Sequence, residues 1–358
     1  MKKYKWVLVV IFAAVVAGCT SVAYKKGLKP NYAQVEVFYA TDRKIEDTSN
    51  VKEYFGSARG ELVYGTTQVS IPRDHRMGEL ESPSIWRFEF KEDPEKHVVL
   101  LDIASMEKES YFEALSSQIN KSSKKSAFIY IHGYNVTFED AARRTGQMAY
   151  DLGFDGVPVF YSWPSHGSTP KYTFDEVNIK WAETNVKEFL SGFLEKSEAE
   201  NVFLIAHSMG NRALTRAYID AVNSMSSLGD KIKEVILAAP DIDADVFRRD
   251  IAPALAEAGR PVTLYASSQD IPLKASRAVH GGHPRAGDSG DHLIVMPGIE
   301  TIDATDVETS FLGHSYYADE RSVLSDMFYI INLGLRANER SGLNELNGPK
   351  GLYWAFRK

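Results

Sequence analysis

The sequence predicts an α/β protein, a three-layer sandwich with a mostly parallel central sheet and an N-terminal antiparallel extension. Two patterns carry this. From about His97 onward, short apolar runs of strand length alternate with longer stretches of helical periodicity, the signature of parallel strands joined by crossover helices. Before that point β-like runs follow one another directly, bounded by Gly and Pro, as antiparallel neighbours do. Composition permits such a fold: 358 residues, 44% hydrophobic and 25% charged, bury a full core without metals or cysteine staples.

In chain order, Met1–Lys5 is a basic segment, Trp6–Ala17 is an uncharged apolar run, and Val16-Ala-Gly-Cys19 follows. A membrane span needs about 20 apolar residues, so a run this short suits the apolar region of a signal peptide. Val-Ala-Gly-Cys resembles the bacterial lipobox, in which small residues precede a cysteine that becomes the lipidated first residue of the mature protein. That resemblance implies a signal peptide over 1–18, an acyl anchor (palmitate) on Cys19 and a place in the cell envelope. Thr20, where an Asp would retain the protein at the inner membrane, implies the outer membrane in a Gram-negative host. Cys19 is the only cysteine, so no disulfide contributes to the fold. Residues 19–30, polar and Lys-containing, read as a tether.

Residues 31–358 read as one domain. The extension, 31–96, holds strand-like runs at Ala33–Ala40, Glu61–Ile71 and Ser84–Phe90, the last alternating Ile85, Arg87 and Glu89 against Trp86, Phe88 and Phe90. The catalytic core, 97–336, shows strands at Val98–Ile103, Ala127–Ile131, Val157–Ser162, Val202–Ala206, Glu234–Ala239 and Pro261–Ala266, with a weaker one at Ile299–Ala304. Helical patterns lie at Tyr111–Ile119, Thr137–Leu152, Asp175–Glu195, Asn211–Val222, Asp245–Ala258, Ile271–Val279 and Asp319–Leu335. In the tail, 337–358, Tyr353, Trp354 and Phe356 are expected to dock on the body without forming an element. The formal charge of −7 argues against nucleic acid as a partner, since phosphate neutralisation needs clustered Lys and Arg.

Ala206-His-Ser-Met-Gly210 matches the nucleophile elbow of α/β-hydrolases with Ala in the first Gly position, and it lies where that motif belongs, between an apolar strand and a helix. The turn is tight, so the residues two before and two after the serine must be small: Ala206 and Gly210. A serine hydroxyl is a poor nucleophile at neutral pH and needs a histidine to take its proton and an acid to hold that histidine. In this fold they follow in the order Ser, acid, His. Asp270 comes directly after the run Pro261–Ala266, the usual acid position; Asp241, Asp243 and Asp245 are its rivals, readable equally as helix caps. Of nine histidines, His314 lies after the last strand and before the last helix, where the fold puts its base. His280, His283 and His292, near Asp288 and Asp291, fit no standard metal spacing, and no metal or cofactor is expected. Tyr130-Ile-His132-Gly133-Tyr134-Asn135 has the form of an oxyanion loop, with the N–H groups of Tyr134 and Met209 as donors. Asp42 and Arg43 read as a buried pair tying the first strand to the body or as pocket lining, and Trp163, Pro164, His166 and Tyr172 as a pocket wall or a packed loop.

Val37-Phe-Tyr-Ala-Thr-Asp-Arg43, Tyr130–Asn135, Tyr161-Ser-Trp-Pro164, the elbow, Ala238-Ala-Pro-Asp-Ile-Asp243 and Gly313-His314, taken as an ordered set, resemble a bacterial α/β-hydrolase family of unknown function, DUF900. The resemblance implies the hydrolase fold and a triad of Ser208, Asp270 and His314, and names no substrate. The expected activity is that of a serine hydrolase, carboxylesterase-like, acting on a small-molecule or lipid acyl ester through an acyl-enzyme, with the membrane as partner through Cys19. The alternatives are an amidase or lipase of the same fold, or a non-catalytic envelope binding module. The sequence leaves the oligomeric state open.

Overall fold

In a computed structural model, which describes residues 30–167, 171–224, 229–269, 273–274, 276–277, 280–307 and 323–357, the elements follow in this order. Strand β1 (Tyr32–Ile45), β2 (Phe55–Pro72) and β3 (Val99–Met106) lead into helix α1 (Lys108–Ile119). Then come β4 (Ser126–Ile131), α2 (Phe138–Asp151), β5 (Val157–Ser162), α3 (Tyr172–Lys196), β6 (Asn201–His207) and α4 (Gly210–Ser224). After β7 (Ile232–Ala238), a helical turn at Ala244–Val246 and a π-helical turn at Phe247–Ile251 run into α5 (Ala252–Glu257). The chain closes with β8 (Val262–Ala266), β9 (Glu300–Asp303), α6 (Val323–Leu333), β10 (Leu343–Gly348) and β11 (Gly351–Phe356).

The strands form one eleven-stranded sheet in the order β10-β11-β9-β8-β7-β6-β4-β5-β1-β2-β3. From β1 through β5, β4, β6, β7, β8 and β9 to β11 all neighbours are parallel. Central strands are apolar on both faces because helices cover both. On one side Ile129, Ile131, Leu204 and Ala206 pack under α1, α3, α4 and α5; on the other Phe128, Tyr130, Phe203 and Ile205 pack under α2 and α6. Helix α2 starts where its capping box dictates, with the Thr137 hydroxyl accepting from the Asp140 N–H and the Asp140 carboxylate accepting from the Thr137 N–H. The predicted three-layer, mostly parallel α/β fold is present.

Four expectations are corrected. The expected antiparallel extension is present, with β1 pairing antiparallel to β2, but it is not set apart from the core: Phe38–Thr41 also pairs parallel with Val159–Ser162 and is buried on both faces, so β1 belongs to the central sheet. Val98–Ile103 does not open the parallel core; as β3 it pairs with β2, antiparallel, at the outer edge of the sheet. Ser84–Phe90 is no strand. It forms a 3₁₀ turn at Ile85–Arg87 closed by Phe88 in the left-handed region (φ 57°), because Glu89 is drawn inward to His97, Arg87 and the Ser84 N–H. The tail forms the hairpin β10–β11, with Gly348 opposite Gly351, and adds a parallel neighbour to β9. Among the described residues no helix is long and apolar enough to cross a membrane.

Candidate active site

The carboxyl edge of a parallel sheet is where loops from successive strands converge. Ser208 stands there, in the two-residue turn with Met209 between β6 and α4, with φ of +48° and a side chain only slightly exposed. A non-glycine residue in this region costs energy and persists only when its surroundings impose it. They do so here: the Ser208 N–H donates to the Ala238 carbonyl (2.9 Å), and the Ser208 carbonyl accepts from the Asp241 N–H (3.1 Å) and the Asn211 side-chain amide (2.9 Å). The same amide donates to Ala238 (3.1 Å), so one buried asparagine clamps the elbow to the end of β7.

Sterics explain the motif's small residues. A Cβ on Gly210 would lie 2.4 Å from the His132 carbonyl oxygen and 2.6 Å from that of Ile131. A Cβ on Gly133 would lie 2.7 Å from His207 Nδ1 and 2.9 Å from the Ser208 Cβ. The elbow and the 132–135 loop are therefore in close contact. Ala206 is buried in β6 beside Ile131 and Leu237, where its methyl fits.

His132 shapes this loop without facing outward. It is buried, stacks on Trp163 (5.1 Å between centroids), and its Nδ1 lies 2.8 Å from the Gly133 carbonyl and Nε2 3.2 Å from Ser162 Oγ. Burial, and then the nearby Arg43 guanidinium, push its pKa well down, so it is neutral and donates from Nδ1. His207 is likewise held neutral, down to about 3, by burial and then Arg144.

Two anchors brace these loops through partners that the sequence does not show: Arg43, expected to tie the first strand to the body, and Asp175. Arg43 does not pair with Asp42. Its buried guanidinium donates to the carbonyls of Val136 (2.8 Å), Ser165 (2.8 Å) and Gly56 (3.1 Å) and to Ser162 Oγ (2.8 Å), tying the loops that follow β4 and β5 to the start of β2. Asp42 bonds instead to Asn185 (3.0 Å), and burial raises its pKa to about 6. Asp175, buried in the first turn of α3, accepts from the Asn135 N–H (3.1 Å), Ser165 Oγ (2.6 Å) and the His166 N–H (2.9 Å). The aromatic stretch after β5 is accordingly a packed loop at Trp163 and Ser165, while Tyr172 turns toward Tyr134 (5.3 Å between rings) at the site's edge.

The rival acids separate. Asp243 is a helix cap, accepting from the N–H groups of Asp245 (2.9 Å) and Val246 (3.1 Å), and Asp245 is exposed and pairs with Arg248. Asp241 is fully engaged: Arg285 (2.8 Å), Ser276 (2.6 Å), Arg212 (3.3 Å) and the Tyr172 hydroxyl all bond to its carboxylate. Burial alone would raise its pKa, but Arg212 and Arg285 with these hydrogen bonds outweigh that and hold it below the ordinary value. A cleft of about 450 Å³ opens beyond this cluster, walled by Arg212, Glu176, Asp243, His280, His283 and Arg285; Ser208 is not among its walls. His280 Nε2 lies 2.8 Å from Glu176 Oε1 there. Among the described residues no group of three or more His, Cys, Asp or Glu side chains is placed to hold a metal ion. Asp270, His314 and Cys19 lie outside the described residues.

No curated protein matches the chain. Solved structures with some likeness include a CIB-like hydrolase from Thermoplasma acidophilum (12% identity over 76% of this chain and 88% of that one, TM-score 0.32). Lipase B of Aspergillus fumigatus is 13% identical over 52% of this chain and 45% of that one, with a TM-score of 0.31. An esterase from Pyrobaculum calidifontis is 12% identical over 64% and 92%, with a TM-score of 0.31. The sequence profile described as "Alpha/beta hydrolase of unknown function (DUF900)" matches residues 107–332, from the start of α1 to within α6. With the match covering more than half of the chain, the protein belongs to the DUF900 family of α/β-hydrolases.

Proposed function

We propose that the protein is a serine hydrolase of acyl esters, with Ser208 as nucleophile, His314 as general base and Asp270 as the acid that orients it. The observation that carries this reading is the left-handed backbone of Ser208, held in a braced strand-to-helix turn with glycines packed against it on both sides. A fold keeps such strain where a side chain must project in one direction. In the proposed reaction Ser208 Oγ attacks the ester carbonyl carbon as His314 takes its proton. The N–H groups of Met209 and Tyr134 receive the developing oxyanion, and His314 then returns the proton to the departing alcohol. Water, deprotonated by the same histidine, releases the acid and regenerates the hydroxyl. Asp241 is spent on two arginines, a serine and a tyrosine, which favours Asp270 as the acid.

The test is steady-state hydrolysis of p-nitrophenyl esters of graded chain length. Ser208→Ala and His314→Gln should each reduce kcat by about 10⁴ or more, and the double variant by no more than either alone, because residues of one triad fail together. Full turnover by Ser208→Ala would reject the assignment. For the address we propose a lipoprotein acylated at Cys19: Cys19→Ser should abolish metabolic fatty-acid labelling, and labelling that persists would reject it.

A further inference from the structure

The excursion between β2 and β3, residues 73–98, is built inside out. Several of its polar groups are tied to the body: His75 lies between Glu81 and Asp151, Arg143 donates to Ser82 and to the Val98 carbonyl, and Glu89 accepts from Arg87 and meets the buried His97 at 3.2 Å. Its large apolar groups point outward. Ile85, Trp86, Phe88 and Phe90 are 77%, 92%, 83% and 76% exposed, within six consecutive positions. Phe88 adopts φ of +57° to do this, a conformation unusual for a bulky residue. Monomeric soluble surfaces rarely gather apolar side chains this way, and a strained, polar-staked turn displaying them marks a docking element.

We propose that this turn is a wedge that enters the interfacial region of a lipid bilayer. Three observations favour a membrane as the occupant. An indole flanked by phenyl rings and an isoleucine suits the headgroup boundary, where amphipathic aromatic rings concentrate. The chain joins the sheet at Tyr32, whose cross-strand partner is Pro72, the residue from which the excursion departs, and only residues 20–31 separate Tyr32 from Cys19. A tether of that length spans at most about 40 Å, short enough to keep the domain on a membrane to which Cys19 is anchored. Finally, acidic residues outnumber basic ones between 73 and 97, so attraction to anionic headgroups does not drive contact, and the wedge should enter zwitterionic bilayers independently of salt. The tether argument rests on the lipoprotein reading, whereas the exposed aromatic turn stands on its own geometry.

The test is fluorescence of the full chain supplied to phosphatidylcholine vesicles, with and without bromine on the acyl chains near the headgroup. The signal of Trp86 is isolated by subtracting that of Trp86→Phe. The Trp86 component should shift to shorter wavelength and lose most of its intensity in brominated vesicles, at low and high salt alike. A component unmoved by bromination overturns the proposal in favour of a protein partner. The triple variant Trp86→Ser/Phe88→Ser/Phe90→Ser should melt at the wild-type temperature; a markedly lower melting point would mean that the rings pack within the molecule, which also overturns it. Because the chain is added to preformed vesicles, absent acylation at Cys19 leaves this readout standing.

Discussion

Gly210→Ala sets two effects of opposite sign against each other. In the first turn of α4 an alanine should help, since glycine is less favourable than alanine in a helix by up to about 1 kcal/mol. The new methyl carbon, however, would sit 2.4 Å and 2.6 Å from the carbonyl oxygens of His132 and Ile131, against ordinary contacts that begin at 3.4 Å. Those oxygens belong to the end of a central strand and its loop, so relief requires backbone to move by about 1 Å. Overpacking of this kind costs about 1–3 kcal/mol or more, so the clash wins and the melting temperature should fall by several degrees, at about 2 °C per kcal/mol for a chain of this size. The same movement pulls the 132–135 loop from the elbow and displaces the Tyr134 N–H, the proposed oxyanion donor. Loss of one oxyanion donor lowers kcat by about 10²–10³. Thermal melts and ester turnover read both effects, and the exposed Asn223→Ala in the same helix should leave both unchanged. A Gly210→Ala protein that melts higher than wild type with full turnover would refute the close-approach argument.

Three further perturbations probe the frame around the elbow. Arg43→Ala strips a donor from the buried carbonyls of Val136 and Ser165 and the part-buried one of Gly56 and should destabilise markedly in urea unfolding, at about 1–3 kcal/mol for each buried acceptor left unsatisfied, with Arg43→Lys recovering little because an ammonium lacks the planar fork. Burial alone would lower the pKa of His75, but Asp151 and Glu81 outweigh it and raise the value to about 9, so its contribution is complete below about pH 6.5 and disappears as pH rises through 9. Wild type should thus lose about 2 kcal/mol relative to His75→Gln between those limits, and parallel stability profiles would contradict the ion pairs. Asp241→Asn should lower stability, by leaving Arg285 and Arg212 undercompensated, yet keep turnover within about tenfold of wild type, whereas Asp270→Asn should cost about 10⁴; the reverse ranking would make Asp241 the acid.

The parallel core was legible because its signals are local. The apolar runs of β4, β5 and β6, the Thr137–Asp140 capping box and the glycines of the elbow each declare themselves within a few residues. What escaped depended on partners distant in the chain. Strand β1 reads as one half of a hairpin, and only Val159–Ser162, well over a hundred residues on, make it a central strand. The alternation in Ser84–Phe90 satisfies a strand pattern, but no neighbouring strand takes it up, and the carboxylate of Glu89 folds it into a turn. The tail hairpin has a local signal of its own: Gly348-Pro-Lys-Gly351 followed by alternating Tyr353, Trp354, Ala355 and Phe356. Arg43 and Asp175 brace the site through main-chain groups of several loops, and a carbonyl or N–H bonded from afar leaves no mark in sequence. The strand-to-helix elbow at Ser208 was readable because its motif of small residues is local; its bracing by Asn211 and Ala238 was not.

Reaction of the full chain with a fluorophosphonate, followed by peptide mass spectrometry, reaches the central claim with least inference. A braced and activated hydroxyl should yield a single adduct on the peptide containing Ser208, lost in Ser208→Ala and strongly slowed in His314→Gln. An unreacted protein, or an adduct on any other residue with Ser208 untouched, would contradict the account.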